Sequence, residues 1–385
     1  MKNIQLFVPK FRNEEIFQHI TTCLDKGWTG LGFKTTEIEN EWKKYTGLPY
    51  AHFINSNTSG LHLALKILKD TNKWPDESEI ITTPLTFVSS NHAIMYENLK
   101  PVFADVDEHL CLSPDSVESK ITKKTRAVLF VGIGGNTGEL HKIIELCKKH
   151  KLKLILDAAH MSGTFSKNPS TGEIFHVGHG ADVSVFSFQA VKNLPTADSG
   201  MICFSNEDYD NLARKLSWLG IDKDTYQRTN DKGTYKWEYD LVDVGFKYHG
   251  NSIMASMALI GLKYLNEDND RRREICNKYE KKLTSQGIRT VKTHPDCVYS
   301  SRHLFQIIVN QRNKFMELLN SGGVYPGVHY KDNTTYKMYR NQFGNCPNSH
   351  LLSEMVISLP LHLHMSDEDV DYVINKVIEV NNLLS

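Results

Sequence analysis

The sequence has no excess of either charge. Its 385 residues contain 45 Lys and Arg against 45 Asp and Glu, so the formal net charge is zero. Non-specific binding to nucleic acid or to an anionic membrane depends on a broad positive field, which a balanced chain does not generate. We therefore expect no nucleic-acid partner and no electrostatic attachment to a membrane.

Paired cysteines and long apolar runs are missing as well. The seven cysteines are an odd number without a CxxC pair, which argues against both a disulfide framework and a zinc site. The apolar start of the chain is broken by Gln5 and ended by Pro9, and the best later run, 253–262, is too short to span a bilayer. We expect reduced thiols, no metal, no membrane segment and a cytoplasmic protein.

The sequence also lacks a dinucleotide-binding turn. A nicotinamide-dependent oxidoreductase on a doubly wound sheet requires a GxGxxG turn after an early strand. The only glycine-rich turn, VGIGGNTGEL at 131–140, comes late and lacks that spacing. This class of enzyme is therefore disfavoured.

Short apolar segments alternate with helical segments through the first 250 residues, after an N-terminal helical segment. This alternation is typical of βαβ units in a mostly parallel sheet with helices on both faces. We predict an α/β fold with about seven strands in a large domain, 1–250, and a smaller α+β domain, 251–385. A polar, aromatic-rich stretch, 222–236, interrupts the pattern, and we interpret it as an exposed excursion or a subunit-contact arm. The predicted strands are 51–55, 79–83, 101–106, 126–131, 153–159, 182–188 and 201–204.

One lysine is presented at the end of a predicted core strand. The strand 182–188 is followed by a short loop that carries Lys192 before the next apolar strand begins. Ligand and catalytic groups in open α/β sheets gather outside the carboxyl ends of the strands, which favours a functional amine here. A solvated loop lysine is the alternative reading of this segment.

An acid ends a second predicted core strand. Asp157 follows the apolar residues of KLILD and precedes two alanines and His160. A carboxylate buried there needs a partner, because its desolvation is costly. A pyridinium nitrogen is such a partner, and pyridoxal phosphate requires both a lysine that bonds to its aldehyde and an acid at its ring nitrogen. The alternatives are a turn acid for Asp157 and a core or capping histidine for His160.

Small polar residues lead from the first predicted strand into the helix that follows it. In INSNTSGLHLAL, free backbone amides and short side chains such as those of Asn57 and Thr58 form an anion site suited to a phosphate. Ordinary helix capping explains the same residues. After the next strand, Phe87 has the shape to stack on a planar ring, although a core phenylalanine is the alternative.

In combination these segments resemble the DegT/StrS family of sugar aminotransferases, which are fold-type I enzymes dependent on pyridoxal phosphate. The resemblance covers nearly the whole chain, and the motifs occur in the family's order. They are GWTGLG at 27–32, SNTSGLHLAL at 56–65, LDAAH at 156–160, FSFQAVKN at 186–193, HLF at 303–305, GGVYPGVHY at 322–330 and ISLPLHLHMSDEDVDYVI at 357–374.

The resemblance implies a role for each matching residue. Lys192 and Asp157 would be catalytic, Lys192 bonding to the cofactor aldehyde and Asp157 pairing with the ring nitrogen. Of the other cofactor-binding residues, Phe87 would stack on the ring, His160 would lie near its phenolic oxygen, and Asn57, Thr58 and Ser187 would hold the phosphate. In the family, the segment that contains Lys247 reaches the cofactor phosphate of the neighbouring subunit. The substrate end of the pocket would be formed by Trp28, Thr29, His329 and Tyr330.

The resemblance also implies the reaction and the assembly. The expected enzyme moves an amino group from an amino acid, by family expectation L-glutamate, to a keto-sugar, most often a nucleotide-linked keto-deoxysugar. Such a reaction belongs to amino-sugar and surface-polysaccharide biosynthesis, including lipopolysaccharide and O-antigen. The implied assembly is a homodimer with shared active sites. The alternative is a regulatory or scaffold protein that binds the cofactor without transaminase turnover.

Overall fold

A seven-stranded sheet forms the centre of the protein in its computed structural model, which describes residues 2–222 and 239–384. Strands β1 to β5 are Tyr50–Ile54, Glu79–Thr82, Lys100–Phe103, Thr125–Val131 and Lys153–Asp157. Strands β6 to β9 are Phe165–Lys167, Ile174–His176, Val183–Ser187 and Gly200–Phe204.

The sheet is mostly parallel, as the sequence predicted. Its order is β1-β9-β8-β5-β4-β2-β3, while β6 and β7 pair as a separate hairpin. Only β9 runs antiparallel to its two neighbours, and the remaining pairings, from β8 through β5, β4 and β2 to β3, are parallel. The α/β class and the seven strands are therefore confirmed.

Helices cover both faces of this sheet. Helices α1 to α4 are Asn13–Asp25, Phe33–Thr46, Asn57–Thr71 and Val88–Tyr96. Helices α5 to α7 are Pro114–Ser119, Leu140–His150 and Glu207–Leu216. Neighbouring strand residues belong to different buried clusters, as Phe186 and Val185 of β8 do. The strands are thus buried on both faces, which is why they are apolar at successive positions.

A smaller three-stranded antiparallel sheet with its own helices follows. Helix α8, Ser252–Thr284, leads into β10 (Arg289–Thr290), β11 (Phe305–Ile308) and β12 (Val356–Leu359). Helices α9 to α11 are Arg312–Ser321, Pro347–Met355 and Asp367–Leu384. This C-terminal region has a separate apolar cluster and fits the predicted α+β class. The division of the chain at residue 250 stays a prediction.

Short 3-10 helices complete the described elements: Ile133–Gly135, Val177–Gly180, Asn333–Thr335 and Lys337–Gln342. None of the described helices combines the length and apolar character needed to cross a membrane. All seven cysteines are buried free thiols. The predicted excursion at 222–236 lies, except for Asp222, outside the described residues.

Close packing of α3 against the sheet places the start of this helix at the functional edge. A Cβ atom on Gly60 would lie 2.4 Å from Cδ1 of Ile54 and 2.5 Å from Cγ1 of Val185. Only glycine lets the helix approach β1 and β8 this closely. The first turn of α3 is thereby brought beside the carboxyl ends of β5 and β8.

Candidate active site

The cavity of interest, about 450 Å³ in volume, opens at the carboxyl ends of β5 and β8. These two strands are parallel neighbours, so the segments that follow them meet at one edge, where ligands of open α/β sheets bind. The loops after both strands and the start of α3 line the cavity, together with residues of the C-terminal region.

Lys192 is placed in this cavity by the loop that follows β8. Its side chain is partly buried, and its backbone N–H donates to the carbonyl of Gln189 at 2.8 Å. Burial lowers the pKa of the Lys192 amine to about 8, because the charged form loses hydration, while the negative charge of Asp157 opposes this shift. Near physiological pH a minority of the amine is therefore neutral, and so nucleophilic, but this share is far larger than in an ordinary lysine.

Asp157 is held at the end of β5 by three hydrogen bonds. Its Oδ2 accepts from the hydroxyl of Ser90 at 2.7 Å, and its Oδ1 accepts from the amide of Asn57 at 3.3 Å and from the backbone N–H of Ala159 at 3.2 Å. Burial raises the pKa of Asp157, while these bonds and the charge of Lys192 oppose the rise. Within the described residues it has no ion-pair partner at contact distance, so a cationic ligand group would complete its environment.

The start of α3 offers free backbone donors to the cavity. The hydroxyl of Ser56 caps the helix by accepting from the N–H of Ser59 at 3.1 Å. The N–H groups of Asn57 and Thr58 have no acceptor among the residues that the structure describes. The side-chain amide of Asn57 donates to Asp157 and to the carbonyl of Val185. Contact of Asn57 with a phosphate would therefore use its backbone N–H.

His160 contacts a tyrosine across the cavity. Its Nδ1 accepts from the backbone N–H of Gly134 at 3.1 Å, so the proton of the neutral ring is on Nε2, which donates to Oη of Tyr330 at 3.1 Å. Burial lowers the pKa of His160 well below its usual value, and the charge of Lys192 adds to this effect. The ring therefore stays neutral, and the Tyr330 hydroxyl remains able to donate its own proton.

Nine of the twelve predicted site residues line this one cavity. They come from segments up to 273 residues apart in sequence, which only the fold brings together. The nine are Asn57, Thr58, Phe87, Asp157, His160, Ser187, Lys192, His329 and Tyr330. Phe87 is 59% exposed, with its ring centroid 6.1 Å from that of Tyr330. It is therefore not a core residue, and its exposed ring is available for stacking.

The three other predicted residues lie outside the cavity lining of their own chain. Trp28 donates from its indole nitrogen to the carbonyl of Leu31 at 2.7 Å, and the carbonyl of exposed Thr29 accepts from the first N–H of α8. The Nζ of Lys247 lies 3.2 Å from the ring centroid of Trp218. Their predicted roles stay predictions, and for Lys247 the expected contact is with the neighbouring subunit.

Two functional positions were missed by sequence reasoning. Ser90 donates the shortest hydrogen bond to Asp157, but nothing in TFVSSN separates it from the preceding serine. His303 lines the cavity with a ring that is 2% exposed. It belongs to the HLF motif, and a polar residue directly before an apolar strand could have indicated a position at the site.

The residues of the cavity fit pyridoxal phosphate. A buried carboxylate with no ion-pair partner at contact distance among the described residues faces the same space as an amine of lowered pKa. The free N–H groups at the start of α3 and the hydroxyl of Ser187 suit a phosphate group. In the described part of the chain, no cluster of three or more His, Cys, Asp and Glu residues is arranged to hold a metal ion.

Comparisons with known proteins show similarity to one family of aminotransferases. The model of the "DegT/DnrJ/EryC1/StrS aminotransferase family" matches residues 11–378. The spore coat polysaccharide biosynthesis protein SpsC of Bacillus subtilis is 32% identical over 386 residues, which cover 97% of this chain and 96% of SpsC.

Solved structures are similar over the full length. The putative sugar aminotransferase Spr1654 of Streptococcus pneumoniae, in its PMP form, is 28% identical, with a TM-score of 0.90 and complete coverage of both chains. Its PLP form is 27% identical, with a TM-score of 0.89 and complete coverage of both chains. The aminotransferase TlmJ of Streptoalloteichus hindustanus is 28% identical, with a TM-score of 0.89 and the same coverage.

The lowered pKa of Lys192 predicts a pH-dependent cost to stability. The pKa of this lysine is about 8 in the folded protein and 10.5 in the unfolded chain. Between these pH values the unfolded chain binds more protons, so the stability of the cofactor-free protein rises with pH. Lys192→Met removes this dependence and should raise the free energy of unfolding by roughly 2–3 kcal/mol at pH 7. Urea unfolding of the cofactor-free protein from pH 7 to 10 measures the effect.

The difference between Lys192→Met and wild type should shrink as pH rises toward 10. Lys167→Met, at an exposed lysine of β6 outside the cavity lining, is the matched control. A difference that stays constant across this pH range would contradict the lowered pKa.

Proposed function

Because the chain belongs to the DegT/DnrJ/EryC1/StrS aminotransferase family, we propose that it transfers an amino group from L-glutamate to a nucleotide-linked keto-deoxysugar. It is a pyridoxal-phosphate-dependent aminotransferase of fold type I, and the alternative of a binder without turnover is not retained. The observation that carries the proposal is the meeting of Lys192 and Asp157 in one cavity. The family establishes the aminotransferase, whereas L-glutamate as the donor and the keto-sugar as the acceptor are proposals.

Asp157 serves the ring end of the site. When bound, pyridoxal phosphate supplies an aldehyde that condenses with primary amines and a ring that accepts electrons when a proton leaves the adjacent carbon. The carboxylate of Asp157 would accept a hydrogen bond from the protonated ring nitrogen. Its bonds from Ser90 and Asn57 favour the ionised form and hold it in this orientation. A neutral amide at position 157 would not stabilise a positive ring.

Lys192 serves the reacting end. Its amine would hold the cofactor through the aldehyde and would be freed when an amino acid binds. With its pKa lowered to about 8, the free amine would be the base that takes a proton from the substrate carbon and the acid that returns it. With the keto-sugar bound, the same amine would move a proton in the opposite direction.

The phosphate end and the flanking residues complete the proposed site. Asn57 and Thr58 would bind the phosphate through backbone N–H groups, and Ser187 through its hydroxyl. Phe87 would stack on the ring, and His160 would direct its Nε2–H toward the phenolic oxygen and Tyr330. His329, Tyr330, Trp28 and Thr29 are the proposed sugar-side residues.

A sugar acceptor is supported by the relatives. SpsC is named for spore coat polysaccharide biosynthesis, and Spr1654 is described as a putative sugar aminotransferase. We therefore propose a role in surface-polysaccharide biosynthesis, with lipopolysaccharide and O-antigen as the candidate products. A cytoplasmic location is proposed because the seven cysteines are free thiols.

The two half-reactions can be tested separately by absorbance. Protein reconstituted with pyridoxal phosphate should lose its visible band on addition of L-glutamate. A panel of nucleotide-linked 3-keto and 4-keto deoxysugars, with dTDP-4-keto-6-deoxyglucose first, should then include a member that restores the band. Lys192→Ala should lower turnover at least about a thousandfold while the circular dichroism spectrum stays unchanged.

Lys167→Ala is the matched control and should keep wild-type rates. Retained turnover in Lys192→Ala would overturn the assignment of this lysine. An unchanged spectrum with L-glutamate but a response to another amino acid would overturn the donor. A normal response to L-glutamate with no response to any keto-sugar would overturn the acceptor.

The proposed assembly is a homodimer whose subunits share active sites. Three large apolar or aromatic side chains are exposed near α4: Phe87, which precedes the helix and lines the cavity, and Met95 and Tyr96 at its end. A second subunit would cover them. Lys247 lies outside its own cavity and would point to the neighbour's phosphate.

Sedimentation velocity of the cofactor-loaded protein tests the dimer. A species of about 88 kDa, twice the chain mass of 44.0 kDa, is expected at micromolar concentration. A stable monomer that retains full activity would contradict shared active sites.

A further inference from the structure

A buried histidine faces the cavity without a role in the mechanism above. The ring of His303 is stacked on Phe7, with a centroid distance of 5.4 Å and an interplanar angle of 9°. The ring of His160 lies 4.4 Å away on another side. These contacts fix the plane of the His303 imidazole, so the position of its proton decides what it presents to a ligand.

The proton position follows from the amide of Asn193, the residue after Lys192. The Nδ2 of Asn193 donates to the backbone carbonyl of Ser301 at 2.6 Å and to Oδ1 of Asn269 at 2.7 Å. The Nδ2 of Asn269 in turn donates to the backbone carbonyl of Ser162 at 3.0 Å. Since backbone carbonyls only accept, both amides are fixed in orientation.

The Oδ1 of Asn193 must therefore accept from His303. The Nδ1 of His303 lies 2.9 Å from this oxygen and carries the proton. Burial lowers the pKa of His303 well below its usual value, and the positive charge of Lys192 acts in the same direction. The ring is thus neutral, and its Nε2 carries a lone pair.

This lone pair is open to a ligand. Among the residues of 2–222 and 239–384, no donor lies within hydrogen-bond distance of Nε2 of His303. This atom is also not fully enclosed by the protein. The residue lines the same cavity as Lys192. The site therefore contains a hydrogen-bond acceptor that is fixed in position and has no donor of its own.

A hydroxyl group matches this acceptor, and the two proposed substrates differ in what they offer. L-Glutamate carries two carboxylates, which are acceptors, and one amine, which is the reacting group. A keto-sugar carries hydroxyl donors around its carbonyl. We propose that His303 is a specificity-determining residue whose Nε2 accepts a hydrogen bond from a hydroxyl of the keto-sugar, with Asn193 as the positioning residue that sets its tautomer.

This inference rests on the proposed function, so the test measures the two half-reactions separately. His303→Leu keeps the approximate volume but removes the acceptor. His303→Gln can donate its amide to Asn193 and present its carbonyl oxygen toward the ligand. His364→Gln, at an exposed histidine outside the cavity lining, is the control and should behave as wild type.

The ratio of the keto-sugar rate constant to the L-glutamate rate constant is the readout, measured by stopped-flow absorbance. It should fall about 10- to 100-fold in His303→Leu, because a buried hydroxyl is left without its acceptor. It should recover to within about fivefold of wild type in His303→Gln. The probe is the member of the keto-sugar panel, dTDP-4-keto-6-deoxyglucose first, that restores the band in wild type.

An equal loss in both half-reactions, or no loss, would show a structural role and overturn the inference. If no keto-sugar reacts while L-glutamate does, the inference fails together with the acceptor, whereas the aminotransferase assignment stands. If L-glutamate does not react, it is the proposed donor that fails.

The tautomer has its own test in the cofactor-loaded protein. The ¹⁵N chemical shifts of labelled His303, assigned by loss of its signal in His303→Gln, should show a protonated Nδ1 and an unprotonated Nε2 at pH 7. The opposite tautomer, or a charged ring, would overturn the inference independently of any substrate.

Discussion

The site depends on two groups of opposite charge that the fold removes from water at the same sheet edge. Burial favours the neutral form of both, lowering the pKa of Lys192 and raising that of Asp157, while each charge favours ionisation of the other. Within the part of the chain that the structure describes, neither group has an ion-pair partner at contact distance, so each keeps capacity for a ligand. A molecule with an aldehyde at one end of a basic ring satisfies both at once.

The rest of the structure fixes the positions of these two groups relative to each other. Parallel pairing of β5 with β8 fixes the distance between the two loops, and Gly60 lets α3 deliver its free N–H groups to the same edge. The loop of Lys192 is tied to α8 and to the C-terminal region through Asn193. These contacts hold the lysine in the cavity despite the cost of removing its charge from water, as expected of a pre-organised site.

Much of this could be predicted from sequence because the signals are local. Successive apolar residues mark strands buried on both faces, and all seven were found with ends that differ by at most three residues. The strand predicted at 153–159 ends at Asp157 because the chain turns there, with the N–H of Ala159 donating to the carboxylate of Asp157. Asp157 was singled out because it ends an apolar strand and Lys192 because it lies in the loop after another, while their roles came from the family resemblance.

The remaining features depend on contacts between distant segments. The hydroxyl of Ser90 reaches Asp157 from 67 positions away, and Asn193 fixes His303 from 110 positions away. Neither pairing leaves a pattern in the surrounding residues. Trp28 and Thr29 belong to the GWTGLG motif but lie outside the cavity lining of their own chain, so motif membership does not establish a position in the site.

The central claim is a reversible covalent bond between the amine of Lys192 and the cofactor aldehyde. Its most direct test is borohydride reduction of the cofactor-loaded protein, followed by proteolysis and mass spectrometry of the peptides. One stable phosphopyridoxyl adduct is expected, on the peptide that contains Lys192. An adduct on a different lysine, or none in protein shown to contain the cofactor, would contradict it.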